Sequence, residues 1–381
     1  MKYFIKPLCI ILIYFLSSCA EKSTSTNSEF NSNFDINKVI NLNADSFTTT
    51  EFLIPLETTK ESILGEISQM YFSDSTIFIF DYSSQKLLCF DKNNGKFLKQ
   101  IWKQGRGPNE FTFISSVFYS IKEKLLYVYD GGKKKMFIFS DLGDYLEEIE
   151  VDSNYLFTSF CKLNDTFWAY SPYEIEDNKI QYNLYEFTDD LKNIKSQHIP
   201  TKNFFDRKSN FYSFQVVNDK AYFITTKDAQ IYEIYNNTVK PYYCIENLLV
   251  KADIEKLNSI SNKTEYENNL YMNKSNYNIT SSNFVYTENK IYFTIGLITK
   301  KPTPNYGHIF DFNNEISIFY NSLSHSHIRL GFKPIAYLDE YLIFLFNPSS
   351  MSEDQLLQIN SVYNINISFE SNPCLVFTKE Y

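Results

Sequence analysis

The sequence predicts an all-β chain, and three observations carry that reading. Tyr and Phe number 30 and 35, while charged residues make up only 21%. Four short runs rich in aromatic and β-branched residues follow one another from Ile67 to Ile101: Ile67–Phe72, Thr76–Asp81, Lys86–Asp91 and Gly95–Ile101. Ser-Asp, Ser-Ser and Asn-Asn-Gly turns separate them, which is the signature of consecutive antiparallel strands. The unit then recurs, with Leu126–Asp130 repeating Ile77–Asp81 and Ser140-Asp141-Leu142-Gly143 repeating the Asp91…Gly95 hairpin signal. A four-stranded antiparallel sheet repeated in tandem is a β-propeller blade.

Six such units can be counted. The second takes Ile114–Ser120, Lys124–Asp130, Met136–Ser140 and Tyr145–Val151, and the third begins at Thr158 and ends at Ile199. The fourth runs from Tyr212 to Ile245 and the fifth from Asn283 to Tyr320. For the sixth the expected strands are Pro334–Leu338, Tyr341–Phe346, Gln355–Asn360 and Cys374–Phe377. The second strand of each unit is the most apolar, as in Leu342-Ile343-Phe344-Leu345-Phe346, and such a strand belongs where both faces are covered. An extra run, Phe52-Leu53-Ile54-Pro55-Leu56, has no local partner. Sharing the last blade between the two chain ends would close the ring and remove its open edge, so this run is expected beside Cys374–Phe377. Residues 247–273 depart from the pattern, with Leu248, Leu249, Ile254, Leu257 and Ile260 at helical spacing, and predict one short helical insertion.

Ahead of the ring, residues 1–18 form a leader. Lys2 and Lys6 supply its positive end and the Leu8–Leu16 stretch its apolar middle, too short to span a bilayer. Leu16-Ser17-Ser18-Cys19 has the form of a bacterial lipobox, in which Cys19 becomes the acylated N-terminus. Acyl chains contribute about 0.8 kcal/mol per buried methylene, so the mature chain would be held on a membrane without crossing it. Residues 19–45 are expected to serve as a flexible tether, since Glu21–Asn33 is rich in Ser, Thr and Asn; the propeller then occupies 46–381. The net charge is −9, and loses two more positive units with Lys2 and Lys6. An acidic domain repels phosphate backbones, which argues against nucleic acid as a partner.

After the first unit comes Gly105-Arg106-Gly107-Pro108-Asn109-Glu110-Phe111. With Ile54-Pro55-Leu56-Glu57-Thr58 and Asn372-Pro373-Cys374-Leu375-Val376-Phe377, it resembles the six-bladed β-propeller lipoproteins of Bacteroidetes, relatives of NHL- and TolB-type propellers. The resemblance spans Phe52 to Tyr381 and implies a ring on a lipid anchor in the cell envelope, at the outer membrane. In the loop itself the glycines permit close backbone approach and Pro108 fixes one dihedral. Arg106 and Glu110 either pair with each other as part of a connector or contact a ligand.

No constellation for catalysis stands out. Cys89, Cys161, Cys244 and Cys374 lie far apart in apolar runs, with no C-x-x-C pair, and read as buried thiols. His325-Ser326-His327 is the best candidate for metal ligation, because alternate residues of a strand share a face, but no third ligand lies nearby; His198 and His308 are isolated. Glu174-Ile175-Glu176-Asp177 offers hard oxygens to Ca²⁺ or another divalent ion, with a solvated hairpin loop as the default reading. No cofactor is indicated. The expected innermost strands carry few acids, with Glu66 near one and Met70, Val117, Leu163, Val216, Val285 and Leu338 on them. The residues therefore favour a non-enzymatic binding or scaffold module for a protein, peptide or glycan. The alternative is a metal-assisted hydrolase or lyase acting on a sugar-like substrate in the channel.

Overall fold

Each of the strongly apolar strands is the second strand of a four-stranded antiparallel blade, and six blades close into a ring. The computed structural model describes residues 28–151, 157–171, 181–201, 214–225, 230–246, 279–297, 305–325, 328–330 and 333–381. Three strands precede the first blade: β1 (Phe30–Asn33), β2 (Ile40–Asn43) and β3 (Thr48–Pro55). Blade 1 holds β4 (Ile67–Phe72), β5 (Thr76–Asp81), β6 (Lys86–Asp91) and β7 (Phe97–Ile101). A two-stranded parallel bridge, β8 (Lys103–Gln104) with β9 (Glu110–Phe111), leads on to blade 2. Blade 2 holds β10 (Ile114–Ser120), β11 (Leu125–Asp130), β12 (Lys135–Ser140) and β13 (Tyr145–Glu150).

Blade 3 contains β14 (Ser159–Leu163), β15 (Thr166–Tyr170), β16 (Gln181–Thr188) and β17 (Ile194–Thr201). Blade 4 contains β18 (Phe214–Val217), β19 (Lys220–Ile224), β20 (Ile231–Tyr235) and β21 (Thr238–Glu246). Blade 5 is β22 (Ile279–Tyr286), β23 (Lys290–Leu297), β24 (Asn305–Asp311) and β25 (Ile316–His325), with β26 (Ile328–Arg329) folded back on β25. Blade 6 is β27 (Ala336–Leu338), β28 (Tyr341–Phe346), β29 (Cys374–Glu380) and, as its outermost strand, β3 from the other end of the chain.

Alternation along each second strand welds neighbouring blades together. On β5, Ile77 and Ile79 pack with Ile343 and Leu375 of blade 6, while Phe78 and Phe80 pack with Val117 and Val128 of blade 2. On β11, Leu126 and Val128 face blade 1, and Tyr127 and Tyr129 face Phe160 and Phe167 of blade 3. Successive residues point to opposite faces, so one strand stitches two interfaces. Side-chain amides add a second stitch at the innermost strands. Gln69 donates to the Val117 carbonyl at 2.8 Å and accepts from the Val117 N–H at 2.7 Å. Gln215 of blade 4 does the same to Tyr286 of blade 5, at 2.9 and 2.6 Å.

Closure is as expected: Leu53 lies opposite Val376 and Ile54 opposite Leu375 in an antiparallel ladder. The sixth blade nevertheless departs from expectation at its third strand. Ser352–Asn364 is a helical segment, with α1 (Glu353–Tyr363) entered through a capping box in which Ser352 and Gln355 satisfy each other's backbone N–H groups. Leu356 and Ile359, three residues apart on one helical stripe, bury against blade 6, so the apolar spacing that suggested a strand belongs to a helix. Cys374–Glu380 is accordingly the third strand of that blade and β3 the fourth.

The N-terminal segment also differs. In place of a free tether up to residue 45, β1 adds to the outer edge of blade 4 in parallel with β21, and β2 to the outer edge of blade 5 in parallel with β25. Phe30 packs on Tyr242 and Phe312, and Phe34 on Tyr306 and Phe319. The chain therefore straps blades 4, 5 and 6 in sequence before entering blade 1. The helical insertion expected at 247–273, and the leader with Cys19, lie outside the described residues.

The two mouths of the ring are built differently. First-to-second and third-to-fourth strand turns all lie on one face and are tight, from 164–165 to 92–96. Asn236-Asn237 and Asp339-Glu340 both place two consecutive residues at positive φ, as two-residue hairpins of the favoured twist require. Second-to-third turns and blade-to-blade connections share the opposite face, because antiparallel strands alternate in direction. Among the described residues that face receives the long connections 102–113 and 347–373.

Two predictions follow from this packing. A chain ending at Ser371 loses β29, the strand between β28 and β3, and leaves both ladders unpaired; each unpaired buried backbone group costs about 1–3 kcal/mol. Melting curves should show the truncated chain unfolded or aggregated, whereas a parent-like melt would refute closure.

The second concerns His308, which is fully buried and kept neutral by that burial, its pKa pushed down to about 3. Its Nδ1–H donates to the Ile318 carbonyl at 3.2 Å, so Nε2 accepts from the Tyr243 hydroxyl at 2.5 Å, and the Tyr243 oxygen in turn accepts from Ser32 on β1. The unfolded chain binds a proton at this histidine near pH 6.5 and the folded chain only near 3. Its contribution is thus complete above about 6.5 and is lost as pH falls towards 3, at up to about 1.4 kcal/mol per pH unit. Denaturant titrations of His308→Gln should show a shallower loss over that window than the parent; parallel curves would contradict this.

Candidate functional site

The connection from blade 1 to blade 2 crosses the long-loop face and builds a cleft at its outer edge. Asp130, fully buried at the end of β11, clamps the crossing: one carboxylate oxygen accepts from Thr112 N–H at 2.7 Å, the other from Phe113, Gly132 and Lys133 N–H at 2.9–3.1 Å. Asp81 at the end of β5 holds the entry to blade 1 in the same way, accepting from Gly65, Glu66 and Ser84 N–H and from the Ser83 hydroxyl. Burial opposes the charge of Asp81, but the bonds from Gly65, Ser83 and Ser84 outweigh it and hold the carboxyl below its ordinary pKa.

Within the crossing, the Glu110 carboxylate turns back into its own loop and accepts the Gly107 N–H at 2.7 Å. Gly105 is needed there, since a Cβ would stand 2.0 Å from Glu110 Oε2. Lys133, from the turn between β11 and β12, donates to the Gly107 and Glu110 carbonyls at 3.2 and 2.6 Å. Arg106 is exposed, and the Glu110 carboxylate is engaged by the loop's own backbone; no ion pair joins the two among the described residues.

Trp102 begins this crossing at φ 40° and Asn109 sits at φ 58°, conformations that a bulky side chain rarely adopts. The strained turn brings the Trp102 indole against Phe111, Phe137 and Phe139 on one side and Tyr145 on the other, ring centroids 5.1–5.2 Å apart. Tyr145 opens the outermost strand of blade 2 and is 44% exposed. Trp102, Tyr145 and Phe137 form the aromatic wall of a cleft of about 180 Å³; Pro108, Asn109, Lys133, Lys135 and Glu148 complete it. Lys135 and Glu148 are paired at 2.5 Å, and that bond keeps the lysine protonated above its ordinary pKa.

The other sequence candidates do not join this cleft. Glu66 is exposed at the blade 1 entry. His325 ends β25, with only its backbone described, and His327 and Glu174–Asp177 lie outside the described residues. His198 packs on Trp168 at the outer strand of blade 3, with Nε2 2.8 Å from Ser196 Oγ. Among the described residues no three His, Cys, Asp or Glu side chains are grouped to hold a metal.

The loop geometry predicts a coupling. Gly105→Ala forces the Glu110 carboxylate out and releases the Gly107 N–H, and Glu110→Ala releases the same bond. Each should cost about 1–2 kcal/mol, and the double variant little more than either alone. Additive losses in denaturant titrations would show that the two positions act separately.

Comparison with known proteins adds the fold's relatives. Among solved structures, a "Putative exported protein" from Bacteroides fragilis NCTC 9343 matches with a TM-score of 0.69 at 17% identity, over 92% of this chain and 99% of that one. A member of the DUF4221 family from Bacteroides vulgatus ATCC 8482 matches with a TM-score of 0.53 at 12% identity, over 88% and 98%. At these identities the likeness is one of fold. No curated protein matches the sequence. A family model matches residues 26–379, nearly the whole described ring and its N-terminal strap, and the chain belongs to that family, the domain of unknown function DUF4934.

Proposed function

We propose that this protein is a non-enzymatic binding module of the cell envelope, held to the membrane through lipid on Cys19 and presenting the long-loop face of its ring. The observation that carries the reading is the cleft at the blade 1–blade 2 crossing. There a strained Trp102 and an exposed Tyr145 are kept at the surface beside a paired Lys135 and Glu148. Rigid aromatic faces beside a few fixed polar groups are the usual composition of a recognition site. Support for the location comes from the leader and lipobox of residues 1–19 and from the exported description of the Bacteroides fragilis relative. The outer membrane is the proposed site of anchoring.

The strap shortens the tether this anchor implies. β1 starts at Phe30, so the chain between Cys19 and blade 4 reaches at most about 3.3–3.6 Å per residue. Blade 4 would hang nearest the membrane, and the crossing between blades 1 and 2 would lie across the ring from it.

Two measurements test the proposal. Cys19→Ala should move the protein from the membrane to the soluble fraction with its melting curve unchanged; continued membrane association would refute the lipid anchor. Affinity capture from detergent-solubilised envelopes should recover a component with the parent chain that Tyr145→Ala does not recover. Equal recovery by both would remove the cleft from the account, and turnover of a defined substrate in place of stable capture would replace the binding reading with an enzymatic one.

A further inference from the structure

Resting on that binding reading, we infer that the cleft takes a single pyranose residue of an uncharged glycan. Its size sets the first limit. At about 180 Å³ and open to solvent, the cleft has room for one ring-sized group against its wall.

The wall sets the second. The Tyr145 ring packs on Trp102, tilted by 34° with centroids 5.2 Å apart, and both rings line the cleft, Tyr145 being 44% exposed. The axial C–H face of a pyranose is flat and apolar, and stacks on the exposed side of such a tyrosine, while its rim carries hydroxyls that both donate and accept. Donors and acceptors also line the cleft. Lys135 and Glu148 are 29% and 39% exposed and supply N–H and carboxylate oxygen side by side, a pair suited to vicinal hydroxyls. Asn109 adds an exposed amide from the facing loop, and the Trp102 indole N–H has no acceptor among the described residues.

Charge sets the third. Lys135 is neutralised by Glu148, and the Lys133 ammonium is committed to the Gly107 and Glu110 carbonyls. Glu150, opposite Lys135 in the ladder, is a further exposed acid on the same strand. A phosphate or a carboxylate would find no uncommitted lysine among the residues that line the cleft and would face the Glu148 carboxylate. A proline-rich peptide needs a row of grooves along an extended helix, and this cleft offers one.

The chain has two tryptophans, Trp102 at the cleft and Trp168 fully buried in blade 3, so fluorotryptophan incorporated into the full chain in detergent gives one reporter and one internal control. The probes are the methyl pyranosides of glucose, galactose, mannose and N-acetylglucosamine with their neutral oligosaccharides, methyl glucuronide as a charged sugar, and a proline-rich peptide. At least one neutral pyranoside should shift the Trp102 fluorine resonance and leave Trp168 in place, and Tyr145→Ala should weaken that binding about tenfold while the Trp168 signal confirms the fold. A Trp102 that no neutral pyranoside moves overturns the inference, as does binding that Tyr145→Ala leaves intact or that favours the glucuronide. If the peptide alone moves Trp102, the glycan inference falls and the binding reading stands. If neither the probes nor solubilised envelope material moves it, both fall.

Discussion

Every blade depends on the ladder between β29 and β3. β29 bonds to β28 along one edge and to β3 along the other, and its two faces are divided between neighbouring blades, Cys374 and Val376 towards blade 5, Leu375 and Phe377 towards blade 1. An antiparallel sheet left open there would expose one row of unpaired backbone groups and two apolar faces. Joining the chain ends removes both at once. The strap extends the same solution, since β1 and β2 cover the outer edges of blades 4 and 5 on the way to blade 6. Ser32 on β1 bonds to buried Tyr243, which bonds to His308 in blade 5, so the strap reaches the interior as well as the rim.

Once the ring is closed, its hairpin face has little freedom, because turns such as 164–165 or 339–340 only just reverse the chain. Variation is left to the opposite face, where connections can lengthen without disturbing the register of any ladder. The blade 1–blade 2 crossing shows how such a connection acquires a fixed shape. Asp130 pins its exit at Thr112 and Phe113 to the β11–β12 turn, Lys133 bridges its carbonyls, and Glu110 fills its centre. With the loop immobilised, Trp102 can be held at an unfavourable φ against Tyr145, and the cleft is formed before any ligand arrives.

Most of the ring was legible in the sequence because a strand covered on both faces has an unmistakable composition: Thr76–Asp81, Leu125–Asp130 and Tyr341–Phe346 are each nearly continuous apolar runs. The third strand of blade 6 was not, since Leu356 and Ile359 in a short window fit either period; Ser352 with Gln355 three residues on was the signal for a helix start. The strap has no such signature, for another reason. β1 and β2 each hold four residues and bury one side chain, and parallel addition to a distant edge leaves no mark in local periodicity. Of the cleft, the Gly105–Phe111 loop was visible as a motif, but Trp102, Lys135, Tyr145 and Glu148 lie in different strands and turns, and only the register of β12 with β13 brings them together.

Native-state hydrogen exchange tests the closure most directly, because it reads the strength of the β3–β29 ladder in the intact chain. If the ends hold the ring, the amides of Leu53 and Val376 exchange only through global unfolding, with the same free energy and denaturant dependence as Ile79 at the centre of blade 1. Exchange at Leu53 and Val376 through a local opening, well below the free energy at Ile79, would show a ring that stays folded without its closing strand and would contradict the account.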